Sequence, residues 1–118
     1  MIGSATGTRV GITGLGVNVP AKVMTNDDLA EFVDTSDEWI RERTGIRERR
    51  FAVKEGALSD VALPAVRDAL AEAGADASEI DLVICATVTP DMLFPTTSAL
   101  LADILEMRQA AAYDLLAG

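Results

Sequence analysis

The run Leu82-Val83-Ile84-Cys85-Ala86-Thr87-Val88 constrains the fold more than any other stretch. It is apolar but for one threonine, and Asp81 and Thr89-Pro90-Asp91 bound it with turn residues. A run this short, without polar alternation, predicts a central parallel strand buried on both faces and covered by helices. The turn at Thr89-Pro90-Asp91 then falls at the strand's C-terminal end, where open α/β sheets bind ligands. Cys85, inside the run, reads as a small core residue, because apolar burial keeps a thiol protonated and inert.

The rest of the chain supplies the layers. Residues 1–8 read as a flexible leader. Arg9 to Val17 reads as a strand whose glycines at 11, 14 and 16 allow close packing and a bend. A phosphate loop is disfavoured there, because Asn18-Val19-Pro20 continues extended and no helix N-terminus follows. Thr25 or Asn26 caps a short helix with Leu29, Phe32 and Val33 on its apolar side, ended by Asp34. Thr35 and Glu38 form a capping-box pattern for a second helix, which Gly45 can end in a left-handed turn. Within it Trp39 and Arg43 share a face, and Ile40 points to the core. Ile46 to Val53 reads as an extended edge strand. Ser59-Asp60 caps a long helix to Ala73, with Val61, Ala62, Ala65, Val66, Ala69 and Leu70 at helical spacing, Pro64 in about its first turn and Gly74 as its stop. Asp76 to Ile80 is a turn. After Phe94-Pro95, Thr96, Thr97 or Ser98 caps a helix whose stripe is Leu100, Leu101, Ile104, Leu105 and Met107. Ala110 to Leu116 reads as a last strand. This rhythm predicts one α/β layered domain with a largely parallel sheet.

Composition narrows the function. The chain has 118 residues, 49% hydrophobic and 25% charged, which fits a globular domain. A formal charge of −9 argues against nucleic acid as a general partner. No apolar run reaches membrane-spanning length, and the first residues lack a basic region followed by an apolar core, so neither a span nor a secretory signal is expected. One cysteine allows no internal disulfide and fits a reducing cytoplasm. With no histidine, the chain lacks the commonest general base near neutral pH. The exception to the acidity is 41–50, where five arginines and two glutamates net +3 and leave −12 elsewhere. Beside that run stands Trp39, the only tryptophan. A cation patch next to an aromatic plane suits an anionic aromatic ligand, although most mixed-charge runs are simply solvated helix faces.

Thr35-Ser36-Asp37-Glu38-Trp39-Ile40, followed by Arg43-Thr44-Gly45-Ile46-Arg47-Glu48-Arg49, resembles the signature of β-ketoacyl-acyl-carrier-protein synthase III. Cys85-Ala86-Thr87 to Phe94-Pro95 resembles the strand and loop before that family's dimer-interface helix. Ala112 to Gly118 resembles the strand that runs into its catalytic cysteine. The resemblance extends from about Gly11 onward. It implies the thiolase fold, a layered α-β-α-β-α arrangement of two similar halves, with residues 9–118 as most of the first. It implies a decarboxylative Claisen condensation in which acetyl-CoA, or another short acyl-CoA, acylates the cysteine and malonyl-acyl-carrier-protein supplies the carbanion. By the same resemblance Thr35, Trp39 and Arg43 line the CoA entrance, with Trp39 on the adenine and Arg43 near the pyrophosphate. Phe94 reaches across a homodimer into the partner's acyl pocket. Arg47, Arg49 and Arg50 are candidates for attracting the acidic carrier. The catalytic Cys is expected directly after Gly118, and the His and Asn in the second half of a protein of roughly 320 residues. No metal and no cofactor is expected, acyl-CoA being a substrate, and the cytoplasm is the expected location. Two alternatives stay open: a starter-unit or acyl-transfer enzyme of polyketide or quinolone type, and a non-catalytic CoA- or carrier-binding half domain.

Overall fold

The computed structural model describes residues 10–52 and 56–116. The predicted leader, Arg9, Val53 and the Ala117-Gly118 pair lie outside the described residues. The described residues form two small sheets, four α-helices and one short 3-10 turn, Ala77–Glu79, joined by loops.

The first sheet pairs β1 (Lys22–Thr25) with β2 (Glu48–Phe51), antiparallel, with Met24 opposite Arg49. Sequence reading anticipates β2 but not its partner, which is four residues long and carries no clear alternation. Thr25 both ends β1 and caps α1 (Asn26–Ala30). Its hydroxyl accepts the Asp28 amide at 3.1 Å, and the Asp28 carboxylate accepts the Thr25 amide at 2.8 Å. This reciprocal pairing satisfies the helix's first free donors. The helix stops before Phe32 and Val33, which stand exposed rather than forming its apolar side.

α2 (Asp37–Thr44) is capped one residue later than the capping-box pattern predicts. The Ser36 hydroxyl accepts the Trp39 amide at 3.1 Å, so the Thr35–Glu38 box does not form. Adjacent hydroxyls can compete for one cap, and spacing alone does not rank them. Gly45 ends α2 at φ 73°, as predicted, and Ile40 is buried.

α3 (Leu58–Ala73) begins before the predicted Ser59-Asp60 cap. Its free amides are met from elsewhere: the Asp91 carboxylate, 33 and 32 residues on, accepts from Leu58 and from Ser59 (3.2 Å). Asp60 turns back to the Ala57 amide at 3.1 Å. Pro64 therefore sits at the seventh helical position, beyond the first turn where a proline is free of cost. Gly74 closes the helix at φ 62°.

The second sheet joins β3 (Leu82–Ala86) and β4 (Ala111–Leu115) in parallel, with Cys85 opposite Asp114. The crossover is α4 (Thr97–Ile104), as a parallel pair demands. Burial alternates along both strands. Val83, Cys85, Ala112 and Asp114 lie on the face covered by α4, while Leu82, Ile84, Tyr113 and Leu115 are exposed. The expectation of a strand buried on both faces is thus corrected. Helices cover only one side here, because α3 packs beside α4 instead of on the opposite face.

The predicted first strand is corrected too. Residues 10–19 are extended but form no ladder among the described residues. The segment instead lies along α3. Two of its three glycines pack closely, as the sequence reading expects: a Cβ on Gly14 would stand 2.1 Å from the Ala69 carbonyl oxygen and one on Gly16 1.8 Å from that of Ala65, whereas Gly11 meets nothing within 4 Å. The core proper is Leu101, Ala102 and Met107 around α4, with an apolar cavity of about 320 Å³ between α3, α4 and β3. Among the described residues no helix is long and apolar enough to cross a membrane.

Candidate functional site

α2 has eight residues and buries only Ile40, so its other faces remain available. Trp39 is 53% exposed. One turn on, the Arg43 guanidinium lies 4.8 Å from the centre of the Trp39 ring. That is a cation–π contact, and it leaves the indole's second face open. Thr35, just before the helix, has a hydroxyl that is buried without a hydrogen-bond partner. An unpaired buried hydroxyl is costly, so this one is an exception among the described residues.

The structure thins the cationic run that the sequence advertises. Arg41 pairs with Asp37 at 3.2 Å, and Arg50 approaches Glu48 at 4.0 Å. Arg49 turns inward, donating to the Thr25 carbonyl at 3.1 Å and to Asn26 Oδ1. It is therefore a structural cation rather than one displayed to a carrier. Arg43 and Arg47 make no ion pair among the described residues, and Arg47 lines a cleft with Asp37, Glu38, Arg41 and Glu42.

The second group gathers around β3 and β4. The Asp114 carboxylate accepts the Thr97 amide at 2.9 Å and the Ser98 amide at 2.8 Å. Thr97 and Ser98 are fully buried. The Thr97 hydroxyl in turn accepts the Asp91 amide at 3.2 Å. Burial pushes the Asp114 carboxyl up, but the amides and hydroxyls of Ser98 and Thr97 outweigh it and hold it below the ordinary range. Cys85, half-buried between the two carboxylates, has its thiol pushed up by burial, then by Asp114 and Asp91. It is a poor nucleophile, as its place in the strand suggests.

Phe94 belongs to neither group. With Leu93 it projects from the loop between β3 and α4, 87% exposed. The expected nucleophile after Gly118 lies outside the described residues. Trp39 and Arg43 meet on one face of α2, as their spacing predicts, and Thr35 lies just before that helix. Sequence reasoning misses the roles of Asn26, Asp91 and Asp114, each of which bonds residues of another element, Asn26 to Ile46 20 residues away, Asp91 to Leu58 33 away and Asp114 to Ser98 16 away.

The fold is that of the thiolase-like condensing enzymes. It superposes on the 3-oxoacyl-[acyl-carrier-protein] synthase III of Aquifex aeolicus VF5 with a TM-score of 0.79 and 47% identity, over 88% of this chain and 33% of that one. A priming β-ketosynthase of the R1128 polyketide pathway matches with a TM-score of 0.79 and 35% identity, over 92% and 34%. Within that class, the chain is similar in sequence to proteins named β-ketoacyl-[acyl-carrier-protein] synthase III. It is 61% identical over 106 residues to the Symbiobacterium thermophilum protein of that name, covering 90% of this chain and 32% of the relative. The Caulobacter vibrioides protein is 50% identical over 104 residues, 88% and 32% respectively. No protein-family model matches. The chain spans about a third of the length of the curated relatives it matches.

Proposed function

We propose that this chain is the CoA-receiving part of a β-ketoacyl-acyl-carrier-protein synthase III. The observation that carries the reading is the Trp39–Arg43 pair: a half-exposed indole and a cation one turn apart, within the stretch that resembles the family signature. An acyl-CoA presents an aromatic base and phosphates at matching scale, and Trp39, Arg43 and Thr35 receive them. No cofactor is required, since acyl-CoA enters as a substrate.

The reaction follows from the family reading. A cysteine thiolate directly after Gly118 attacks the acetyl carbonyl of acetyl-CoA, the carbon–sulfur bond to CoA breaks, and CoA leaves as its thiolate. Malonyl-acyl-carrier-protein then loses CO2. The carbanion attacks the enzyme thioester, a carbon–carbon bond forms and the cysteine thiolate is released. A His and an Asn outside this chain stabilise the developing negative charge. Phe94, exposed on its own chain, reaches a second copy of the protein and bounds its acyl pocket. The cytoplasm is the proposed location.

The polyketide priming reading keeps a foothold in the R1128 likeness, but at 35% identity against 61% it is second. Sequencing the intact protein past Gly118 and assaying it with acetyl-CoA and malonyl-acyl-carrier-protein tests the proposal. A cysteine at the next position, with acetoacetyl-carrier protein and CO2 as products, is the expected outcome. Any other residue there, or no carbon–carbon bond formation, overturns it. An intact mass of only 12.4 kDa would favour a non-catalytic binding half.

A further inference from the structure

We infer that Asn26 is a positioning residue for the Trp39–Arg43 face, acting by gripping α2 at both ends. The inference rests on the reading of that face as the acyl-CoA site. Asn26 is 1% exposed, the most buried polar residue outside the α4 cap. One Nδ2 hydrogen goes to Asp37 Oδ1 at 2.8 Å, and Asp37 is the first residue of α2. The other goes to the Ile46 carbonyl at 2.9 Å, just past the Gly45 turn that ends α2. Its Oδ1 accepts from Arg49. Arg49 is held in turn by the Thr25 and Met24 carbonyls of β1, at 3.1 and 3.5 Å. One amide thus ties the start of α2, the end of α2 and the β1–β2 sheet.

The chemistry of the pocket selects this residue type. Two acceptors and one cationic donor face position 26, and an amide in one orientation satisfies all three. A carboxylate would set its oxygens against Asp37 and the Ile46 carbonyl. An alanine would leave three partners unmatched in a buried place.

The grip matters because α2 has little else to hold it. Eight residues are too few for a helix to persist alone, and only Ile40 is buried. A helix anchored by one apolar side chain can roll about its axis. A roll would carry Trp39 and Arg43 off the bearing that a ligand needs, without unfolding the protein. Near-attack geometry is sensitive to small displacements of binding groups. The Asp37 carboxyl bears the mark of the contact: the Asn26 hydrogen bond, ahead of Arg41, holds it below the ordinary range.

The test uses the intact protein with acetyl-CoA as the probe. Asn26→Ala should raise KM for acetyl-CoA roughly tenfold and leave kcat within about twofold, since loss of ground-state positioning acts on KM. Trp39→Ala should raise KM comparably, and the double variant should be no worse than the more severe single, because both act through one face. Should Asn26→Ala fold poorly, Asp37→Ala removes one grip from a more exposed position and should raise KM in the same sense. Arg41→Ala, which removes only the ion pair, should not. Lower thermal stability with unchanged KM in both grip variants would overturn the inference, as would fully multiplicative effects in the double variant. If Trp39→Ala leaves KM unchanged, the CoA reading fails. Positioning is then judged by near-UV circular dichroism. The Trp39 contribution, isolated by difference from Trp39→Phe, should change in Asn26→Ala; an unchanged signal sinks it.

Discussion

The Asp114 carboxylate accepts the backbone amide of Ser98 at 2.8 Å, so β4 caps the very helix that leads into it. Its other oxygen takes the Thr97 amide, and the Thr96 hydroxyl takes that of Ala99 at 3.3 Å. Every early donor of α4 named here is met by one loop residue or one strand residue. Asp91 does the same for α3. Each helix N-terminus is thereby fixed to the C-terminal side of the parallel pair.

Asp114→Ala should therefore lower stability by about 1–2 kcal/mol, the range for losing a capping carboxylate with buried amides left unpaired. Urea unfolding of the intact protein measures it. Asp114→Asn keeps one acceptor and should recover part of the loss. Equal stability of all three proteins would mean that water replaces the carboxylate.

Stability should fall on the acid side. Hydrogen bonds hold Asp28, Asp37 and Asp76 below the ordinary carboxylate range, through Thr25, Asn26 and Ser78 respectively. Asp114 is lowered as well, against the opposing effect of its burial. For a depressed carboxyl the contribution is complete above the unfolded value and is lost as pH falls through the folded one. Thermal midpoints should thus be level with respect to these groups near neutrality and drop below about pH 4. Asp114→Asn should flatten that drop; an unchanged acid limb would show that Asp114 does not contribute to it.

The extended segment 10–19 is held by contact with the α3 backbone, not by a ladder. A Cβ on Gly16 meets the Ala65 carbonyl oxygen at 1.8 Å and the Ala69 nitrogen at 2.7 Å. Two hydrogen bonds, Leu15 amide to Glu72 at 2.6 Å and Asn18 Nδ2 to the Val61 carbonyl at 2.7 Å, fix the same approach. Gly16→Ala should cost about 1–3 kcal/mol, because backbone cannot yield as a side chain can. Gly11→Ala meets nothing within 4 Å and should stay within about 0.5 kcal/mol. Thermal unfolding of the pair separates packing from glycine flexibility.

Local rules carried the sequence reading wherever the deciding partner lay within a few residues. Gly45 and Gly74 end their helices in the left-handed region, Ile40 is buried, and Trp39 and Arg43 meet one turn apart. The failures share one cause. Asp91 caps α3 from 32 residues away, β1 is a strand only because β2 lies beside it, and Asn26 is held by three partners, Asp37, Ile46 and Arg49. Periodicity and capping statistics hold no record of such pairs. The run Leu82–Val88 differs: its composition suits burial on both faces, and helices cover one within this chain, which spans about a third of its relatives' length. For Thr35 the competing hydroxyl of Ser36 was one residue away, and only backbone geometry chose between them.

The C-terminus of α4 offers a stabilising change. Glu106 follows the last turn at φ 56°, in the left-handed region, where the Met107 amide reaches back to the Ala102 carbonyl at 2.9 Å. A side chain there is strained, and glycine is not. The only charge lost is an exposed pair with Arg108 at 3.1 Å, both partners over three-quarters exposed. Glu106→Gly should raise stability by about 0.5–1 kcal/mol after the entropy of the freer unfolded chain is counted. A lower melting temperature would mean that the Arg108 contact outweighs the strain.

Trp39 separates the two halves of the proposed reaction. Its indole stands half exposed, with Arg43 on one face and the other open, so it can serve only what arrives from solvent. Acylation needs the CoA moiety held in place; condensation from an enzyme already acylated does not. Trp39→Ala should therefore raise KM for acetyl-CoA about tenfold and leave the rate of carbon–carbon bond formation from pre-acylated enzyme unchanged. Arg43→Ala should act in the same half-reaction, more strongly at low ionic strength, because an exposed cation attracts phosphates through a field that salt screens. Pre-steady-state acylation and single-turnover condensation, measured separately, decide the matter. Equal losses in both would make Trp39 a structural residue of α2.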